Sequence, residues 1–394
     1  MHVSITQPRQ RGVRAVVFPF VSGDMGGSHV STFTLARALQ EEHGLQCCVL
    51  CSTDTLIARH AIENALCVIP TGEMPVSRHH PLYDASRLFA RLQIVKAFPM
   101  HSVVHFNDLR TMQSWGPVAR LAGRPVVYHH RSLNRMTPPK RLLISLAHQV
   151  ICISASCQDN VSFVEPARCA LVLNPVQIDP KSAQRADARQ FAAEHGCPTD
   201  RLLVGFVGNF WHWKRPDLFL QICSTLLQVR SDCHFVVFGR SGDWTEHDLI
   251  RMAQDLGIGD RVTFAGFHLP GERNIAALDL LIATSIREPF GRTLVEAAII
   301  GTPYVATDDA GYREIWNTWR GGRLVPVTAA ADEFAQVALD ILHSPESVAL
   351  ESNERAQVAK DVSASTHALQ ITKIYNRLRH LLRGAVEGPQ EARI

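Results

Sequence analysis

Short apolar runs alternate with longer amphipathic stretches along most of this chain. Residues 14–20, 46–51, 102–105, 125–129 and 149–153 are short and almost continuously apolar. That pattern predicts strands buried on both faces rather than half-exposed ones. Between them, 30–43, 110–122 and 140–147 carry the three-to-four-residue spacing of helices that bury one side. The alternation restarts with strand-like runs at 202–207, 234–238, 261–264, 278–283 and 303–306. Strand and helix taken in turn build parallel sheets covered on both faces. The expected fold class is therefore α/β, with two doubly wound parallel-sheet domains. A polar stretch at 173–198, containing Asn174-Pro175 and Asp179-Pro180, separates the two series and sets a boundary after residue 177. The expected organisation is 1–177, 178–364, a terminal amphipathic helix at 365–384 and a polar tail at 385–394.

Composition fits this picture without redirecting it. A chain of 394 residues with 46% hydrophobic and 20% charged content has material for two cores. No apolar run reaches the length needed to span a bilayer, and 1–14 is polar and basic with no apolar core of a secretory signal. A cytoplasmic protein is expected. Cys48 and Cys51 have C-x-x-C spacing inside a strand-like run, with no second pair to complete a zinc site. The ten cysteines are read as buried thiols. Residues 1–180 hold 17 Lys and Arg against 11 Asp and Glu, while the remainder holds 23 against 26. Such a small excess excludes a nucleic-acid partner but leaves an anionic acceptor or membrane surface open.

In open parallel sheets ligands bind beyond the carboxyl ends of the strands, so chemistry is sought in those loops. The first, at 22–28, brings Gly26 and Gly27 to a helix start, where backbone N–H groups can approach an anion. The second runs Gly205-Phe206-Val207-Gly208-Asn209-Phe210-Trp211-His212-Trp213-Lys214-Arg215-Pro216-Asp217. Cations at a helix start oppose its dipole, so Lys214 and Arg215 there point to a bound anion. The third is Arg287-Glu288-Pro289-Phe290-Gly291-Arg292-Thr293-Leu294-Val295-Glu296-Ala297. The N–H groups of Gly291 to Leu294 suit a diphosphate, Glu296 can accept from ribose hydroxyls, and Glu288 faces a sugar.

These pieces, with Arg261-Val262-Thr263-Phe264-Ala265-Gly266-Phe267, Gly301-Thr302-Pro303-Tyr304-Val305-Ala306 and Gly311-Tyr312-Arg313-Glu314, resemble the retaining nucleotide-sugar glycosyltransferases of family four. They cover about 110 residues in that family's order. The resemblance implies the GT-B fold: two Rossmann-like domains facing a cleft, with the terminal helix crossing back to the first. It implies that Lys214 neutralises the donor diphosphate, Glu288 contacts the transferred sugar, Glu296 holds the ribose, and the backbone around Phe267 and His268 holds the base. It departs at Asn209, where the family commonly has Arg. One charge is thereby lost from the phosphate clamp, and either Arg215, Arg240 or Arg292 compensates or diphosphate binding is weaker. In the family a strand-end His of the first domain lies beside the reaction centre. Here His129 and His130 both qualify, alternation lets only one face the cleft, and His130 is taken as the one further out in the loop. His105 and Asp108 end the preceding strand, and Asp108 joins Glu288 and His130 as a catalytic candidate.

The expected activity is transfer of a hexose-type sugar from a UDP- or GDP-linked donor to an acceptor hydroxyl, with retention. A glycan or glycolipid acceptor in surface polysaccharide assembly follows by analogy, and Arg131, Arg135, Lys140 and Arg141 beside the apolar run 142–147 point to peripheral contact with an anionic inner-membrane face. No Asp-x-Asp pair occurs to carry a divalent ion, so no metal or other cofactor is expected. Two other readings remain: a nucleotide-sugar binding protein that has lost transfer, and a nucleotide-sugar epimerase on the same plan.

Overall fold

The computed structural model describes residues 15–21, 26–71 and 87–386, with side chains as far as 378. Residues 1–14, 22–25 of the first glycine loop and 387–394 of the expected tail lie outside the described residues. The chain divides into two compact units. One comprises 1–153, 157–175 and 364–394, and the other 154–156 and 176–363.

The first unit holds a seven-stranded sheet in the order β3-β2-β1-β4-β5-β6-β7. Its strands are β1 Ala15–Pro19, β2 Gln46–Cys51, β3 Cys67–Pro70, β4 Val103–Phe106, β5 Val126–His130, β6 Gln149–Cys152 and β7 Cys169–Leu171. All six pairings are parallel. The central strands β1, β4, β5 and β6 are buried along their whole length, as continuous apolar runs require when helices cover both faces.

The second unit repeats the plan with six strands in the order β10-β9-β8-β11-β12-β13. These are β8 Leu202–Val207, β9 Cys233–Phe238, β10 Val262–Gly266, β11 Leu280–Ala283, β12 Tyr304–Asp308 and β13 Gly322–Pro326. Each sheet reverses direction once, between β1 and β4 in the first unit and between β8 and β11 in the second. The loops leaving those strands are where a doubly wound sheet opens a crevice for ligand.

Three strands lie outside the runs read from the sequence: β3, β7 and β13. All three are at sheet edges, and none is wholly buried. The last helix, Ala364–Val386, returns to the first unit. Ala368, Ile371 and Tyr375 are fully buried in that unit's core cluster, and the helix packs against Gly27–His43.

Candidate functional site

The site in the second unit is built on the ends of β8 and β11. After β8 the chain crosses β9 closely: a Cβ on Gly239 would lie 2.1 Å from the Gly208 carbonyl oxygen, so only glycine fits there. Asn209 to Trp211 follow, then a 3₁₀ turn at His212–Lys214 and the helix Pro216–Val229. Thr284, just past β11, accepts this loop by donating its hydroxyl to the carbonyls of Lys214 (2.6 Å) and Arg215 (3.0 Å). The Ile286 N–H donates to the Trp213 carbonyl (2.7 Å).

That stitching sets Lys214 Nζ 2.5 Å from Glu288 Oε2, with both side chains mostly buried. Burial alone would lower the lysine's pKa. The Glu288 charge and hydrogen bond outweigh it, so the ammonium is held above its ordinary value. Glu288 is itself pinned, its carbonyl accepting from Gly311 N–H (2.9 Å). Gly311 is obligatory here, because a Cβ would stand 2.7 Å from the Phe290 carbonyl.

Gly291 then caps the helix Arg292–Ile300 at φ 90°, a left-handed conformation suited to glycine. The first-turn N–H groups of Arg292 and Thr293 have no partner within the helix and can meet an anion; Leu294 N–H already bonds the Gly291 carbonyl (3.0 Å). One turn on, Glu296 is almost fully buried and accepts from Arg292 Nε at 2.6 Å. Desolvation raises its pKa, opposed by Arg292. Beside β10, Phe267 is half exposed and stacks under the Arg240 guanidinium at 5.1 Å, while His268 Nε2 reaches the Ala265 carbonyl (2.6 Å).

Lys214 and Glu288 are thus in direct contact, as are Arg292 and Glu296. Arg215, read with Lys214 as pointing to a bound anion, directly follows the 3₁₀ turn. It caps the helix Pro216–Val229 at φ 53°, and its guanidinium reaches the Val327 carbonyl at 3.5 Å.

In the first unit Gly26 and Gly27 stand at a helix start as read, while His130 and Asp108 are placed otherwise than expected. Gly26 precedes the helix Gly27–His43, and its N–H donates to His29 Nδ1 (2.9 Å). His130 is not in a loop: it is the last residue of β5 and fully buried. Its Nε2 donates to Asn160 Oδ1 (3.0 Å) and its Nδ1 faces the Tyr128 hydroxyl (3.3 Å). Burial pulls its pKa down to about 4, so it is neutral at physiological pH. His129 is equally buried, stacked between His105 and His367. Asp108 caps the helix Leu109–Leu121, its two oxygens accepting from Thr111 N–H and hydroxyl, each at 2.8 Å. A carboxylate so engaged is a helix cap before it is a base.

The residue that sequence reading passed over is Asn107. It is 2% exposed, and neither its Oδ1 nor its Nδ2 has a partner among the described residues. Its signal was present in His105-Phe106-Asn107-Asp108, a polar pair directly after β4 at the point where the sheet reverses.

Among the described residues, no helix is long and apolar enough to cross a membrane, and no cluster of three His, Cys, Asp or Glu is placed to hold a metal ion.

Two family models match in succession: Glycosyltransferase Family 4 over residues 25–180 and Glycosyl transferases group 1 over 187–359. The D-inositol 3-phosphate glycosyltransferase of Mycolicibacterium smegmatis is 32% identical over 173 residues, which is 42% of this chain and 36% of that protein. The chain thus matches about a third of this curated relative's length. Among solved structures, Anabaena HepE in complex with UDP and glucose superposes with a TM-score of 0.75 at 20% identity, covering 92% of this chain and 99% of that one. A glycosyltransferase from Rickettsia africae gives 0.78 at 15% identity, covering 94% and 99%. At such identities these two carry the fold alone. With both family models in sequence over two doubly wound sheets, the chain belongs to the family 4 type of glycosyltransferases and has the GT-B fold.

Proposed function

We propose that this protein transfers a sugar from a UDP- or GDP-linked nucleotide diphosphate donor to an acceptor hydroxyl, with retention at the anomeric carbon. The observation that carries this reading is the Lys214–Glu288 pair at the ends of β8 and β11, in one loop system with the start of the helix Arg292–Ile300. A buried ammonium beside free first-turn N–H groups is an arrangement that stabilises a departing diphosphate. The UDP-bound state of HepE and the activity named for the mycobacterial relative support the same reading.

In this mechanism Lys214 trades part of its bond with Glu288 for a phosphate oxygen, which frees Glu288 to accept from a sugar hydroxyl. Glu296 accepts from the ribose and the backbone near Phe267 and His268 flanks the base. The fixed charge of Lys214 takes the place of a divalent ion. The nucleophile is the acceptor hydroxyl, attacking on the face the leaving phosphate vacates, and no side chain forms a covalent intermediate. Calorimetric titration with UDP and GDP tests the site. One of them should bind one-to-one in wild type and about 30-fold more weakly in Lys214→Ala; equal binding by the variant would contradict the assignment.

The acceptor side favours one refinement. On the helix Pro138–Ser145, Leu142 is 71% exposed beside exposed Arg141, and Met136, Lys140, Leu143 and Leu146 line an adjoining groove of about 830 Å³. An apolar surface rimmed by cations suits an anionic lipid face. Anionic but not neutral liposomes should co-sediment the protein, and Lys140→Glu with Arg141→Glu should release it. Equal recovery of both proteins in the supernatant would leave a soluble acceptor.

A further inference from the structure

The cysteines do not all lie in a core as read from the sequence: Cys67 is exposed and Cys169 half-buried. Each begins an edge strand of the first sheet, Cys67 on β3 and Cys169 on β7. Each also has a buried cysteine on the neighbouring strand, Cys48 on β2 and Cys152 on β6. Strand register separates the two pairs.

At the β3 edge Cys67 stands directly opposite Cys48. The next pair along, Val49 and Val68, packs into the unit's core cluster on one face of the sheet. Side chains alternate between faces, so Cys48 and Cys67 project together from the other face. Neighbouring strands run about 4.8 Å apart, and a disulfide joins Cα atoms roughly 4.4–6.8 Å apart, so this pair can be bridged with both strands in place. At the β7 edge Cys169 lies opposite Val150, while Cys152 lies opposite Leu171. Their sulfurs approach to 3.6 Å. The diagonal between their Cα atoms is nevertheless about 8 Å, beyond the reach of a disulfide.

The two members of the bridgeable pair differ in access. Cys48 is 2% exposed, and burial, then the neighbouring Cys67 thiol, push its pKa up to about 12. It stays a thiol at neutral pH and is closed to reagents in solution. Cys67 is open to them. A reagent therefore meets Cys67 first, and Cys48 is placed to resolve what forms there.

We propose that Cys67 and Cys48 are a thiol-modification site, at which a small disulfide such as glutathione disulfide is reduced and the edge strand β3 becomes covalently clasped to β2. The Cys67 thiolate attacks one sulfur of glutathione disulfide, forming a mixed disulfide and expelling one glutathione thiolate. The Cys48 sulfur then attacks the Cys67 sulfur and expels the second glutathione. The protein's two thiols lose two electrons and two protons, and both end on the two glutathiones. Strand β3 is held by a single neighbour and none of its residues is fully buried, so the clasp fixes a strand otherwise easily detached. This inference is independent of the donor-site reading.

The test incubates the full chain with glutathione disulfide at neutral pH, then quenches in acid, unfolds, alkylates and maps the peptides by mass spectrometry. A peptide pair joined through Cys48 and Cys67 should form and be released by dithiothreitol, while Cys152 and Cys169 are recovered alkylated. Cys67→Ser, a conservative change at an exposed position, should abolish the link. Cys48→Ala should stop at one glutathione on Cys67. In the linked protein, amide exchange across 67–70 should slow by about tenfold or more, with the second unit unchanged. Wild type that keeps a glutathione on Cys67 without a link to Cys48, or that does not react at Cys67, would overturn the proposal. So would a Cys152–Cys169 link forming in its place, or exchange in β3 that the link leaves unaltered.

Discussion

Lys214 and Glu288 are each costly to bury alone and tolerable together, which makes the pair sensitive to loss of either member. Lys214→Ala should cost roughly 2 kcal/mol of nucleotide binding, about 30-fold in Kd. Because the ammonium is held above its ordinary value, its charge, and the stability that depends on it, persist below pH 10 and fade only above. The two glutamates separate by readout. Glu288→Gln should lower turnover strongly with a modest change in nucleotide Kd, and Glu296→Gln should weaken the bare nucleotide; equal effects in calorimetry would remove the distinction. In the first unit, His105, His129, His130 and His367 are all buried and all pushed below the usual histidine value, His130 to about 4 and His367 to about 3. The unfolded chain then binds more protons, so stability is full above pH 6.5 and falls as the pH drops below it. His130 alone accounts for about 3 kcal/mol by pH 4. Thermal melts at pH 7, 6, 5 and 4 should show that decline, and a Tm independent of pH would contradict it. Residue types and spacing singled out Lys214, Glu288 and Glu296 in the sequence, and the structure adds the contacts Lys214–Glu288 and Arg292–Glu296. Types and spacing could not reveal that His130 and Asp108 are occupied by Asn160, Tyr128 and Thr111 while their neighbour Asn107 is not, because partner satisfaction depends on packing.

At the scale of elements, periodicity served best where burial is most complete. The wholly buried β1, β4, β5 and β6 lie at or within a residue of their expected bounds, as does the helix Leu109–Leu121. The edge strands β3, β7 and β13 carry no such signal, being short and in contact with solvent, so their pairing comes from the neighbouring strand. The terminal helix could be read from its apolar stripe, but which core receives it came from the family resemblance and not from periodicity. Ile371 and Tyr375 settle that by complete burial in the first unit, with the Tyr375 hydroxyl 2.6 Å from His105 Nδ1. Ile371→Ala should therefore destabilise the first unit by about 3 kcal/mol and leave the second unchanged. Urea unfolding followed by hydrogen exchange resolves the two, and equal loss in both units would argue against this placement.

Across the whole molecule the same 3-2-1-4-5-6 strand order occurs twice, and the two reversal points carry different chemistry. The second unit offers a paired lysine and a glycine-capped helix start. The first offers a buried amide, Asn107, with no hydrogen-bond partner among the described residues. A repeated scaffold with divergent loops is how one architecture takes two unlike substrates. The measurement closest to the central claim is a panel of UDP- and GDP-sugars incubated with the protein in excess EDTA and followed by mass spectrometry. One donor should release its nucleoside diphosphate, chelator should leave the rate unchanged, and Lys214→Ala should abolish it. Release that stops with EDTA and returns with magnesium or manganese would contradict the fixed-charge mechanism, and a protein that neither binds nor cleaves any nucleotide sugar would contradict the function itself.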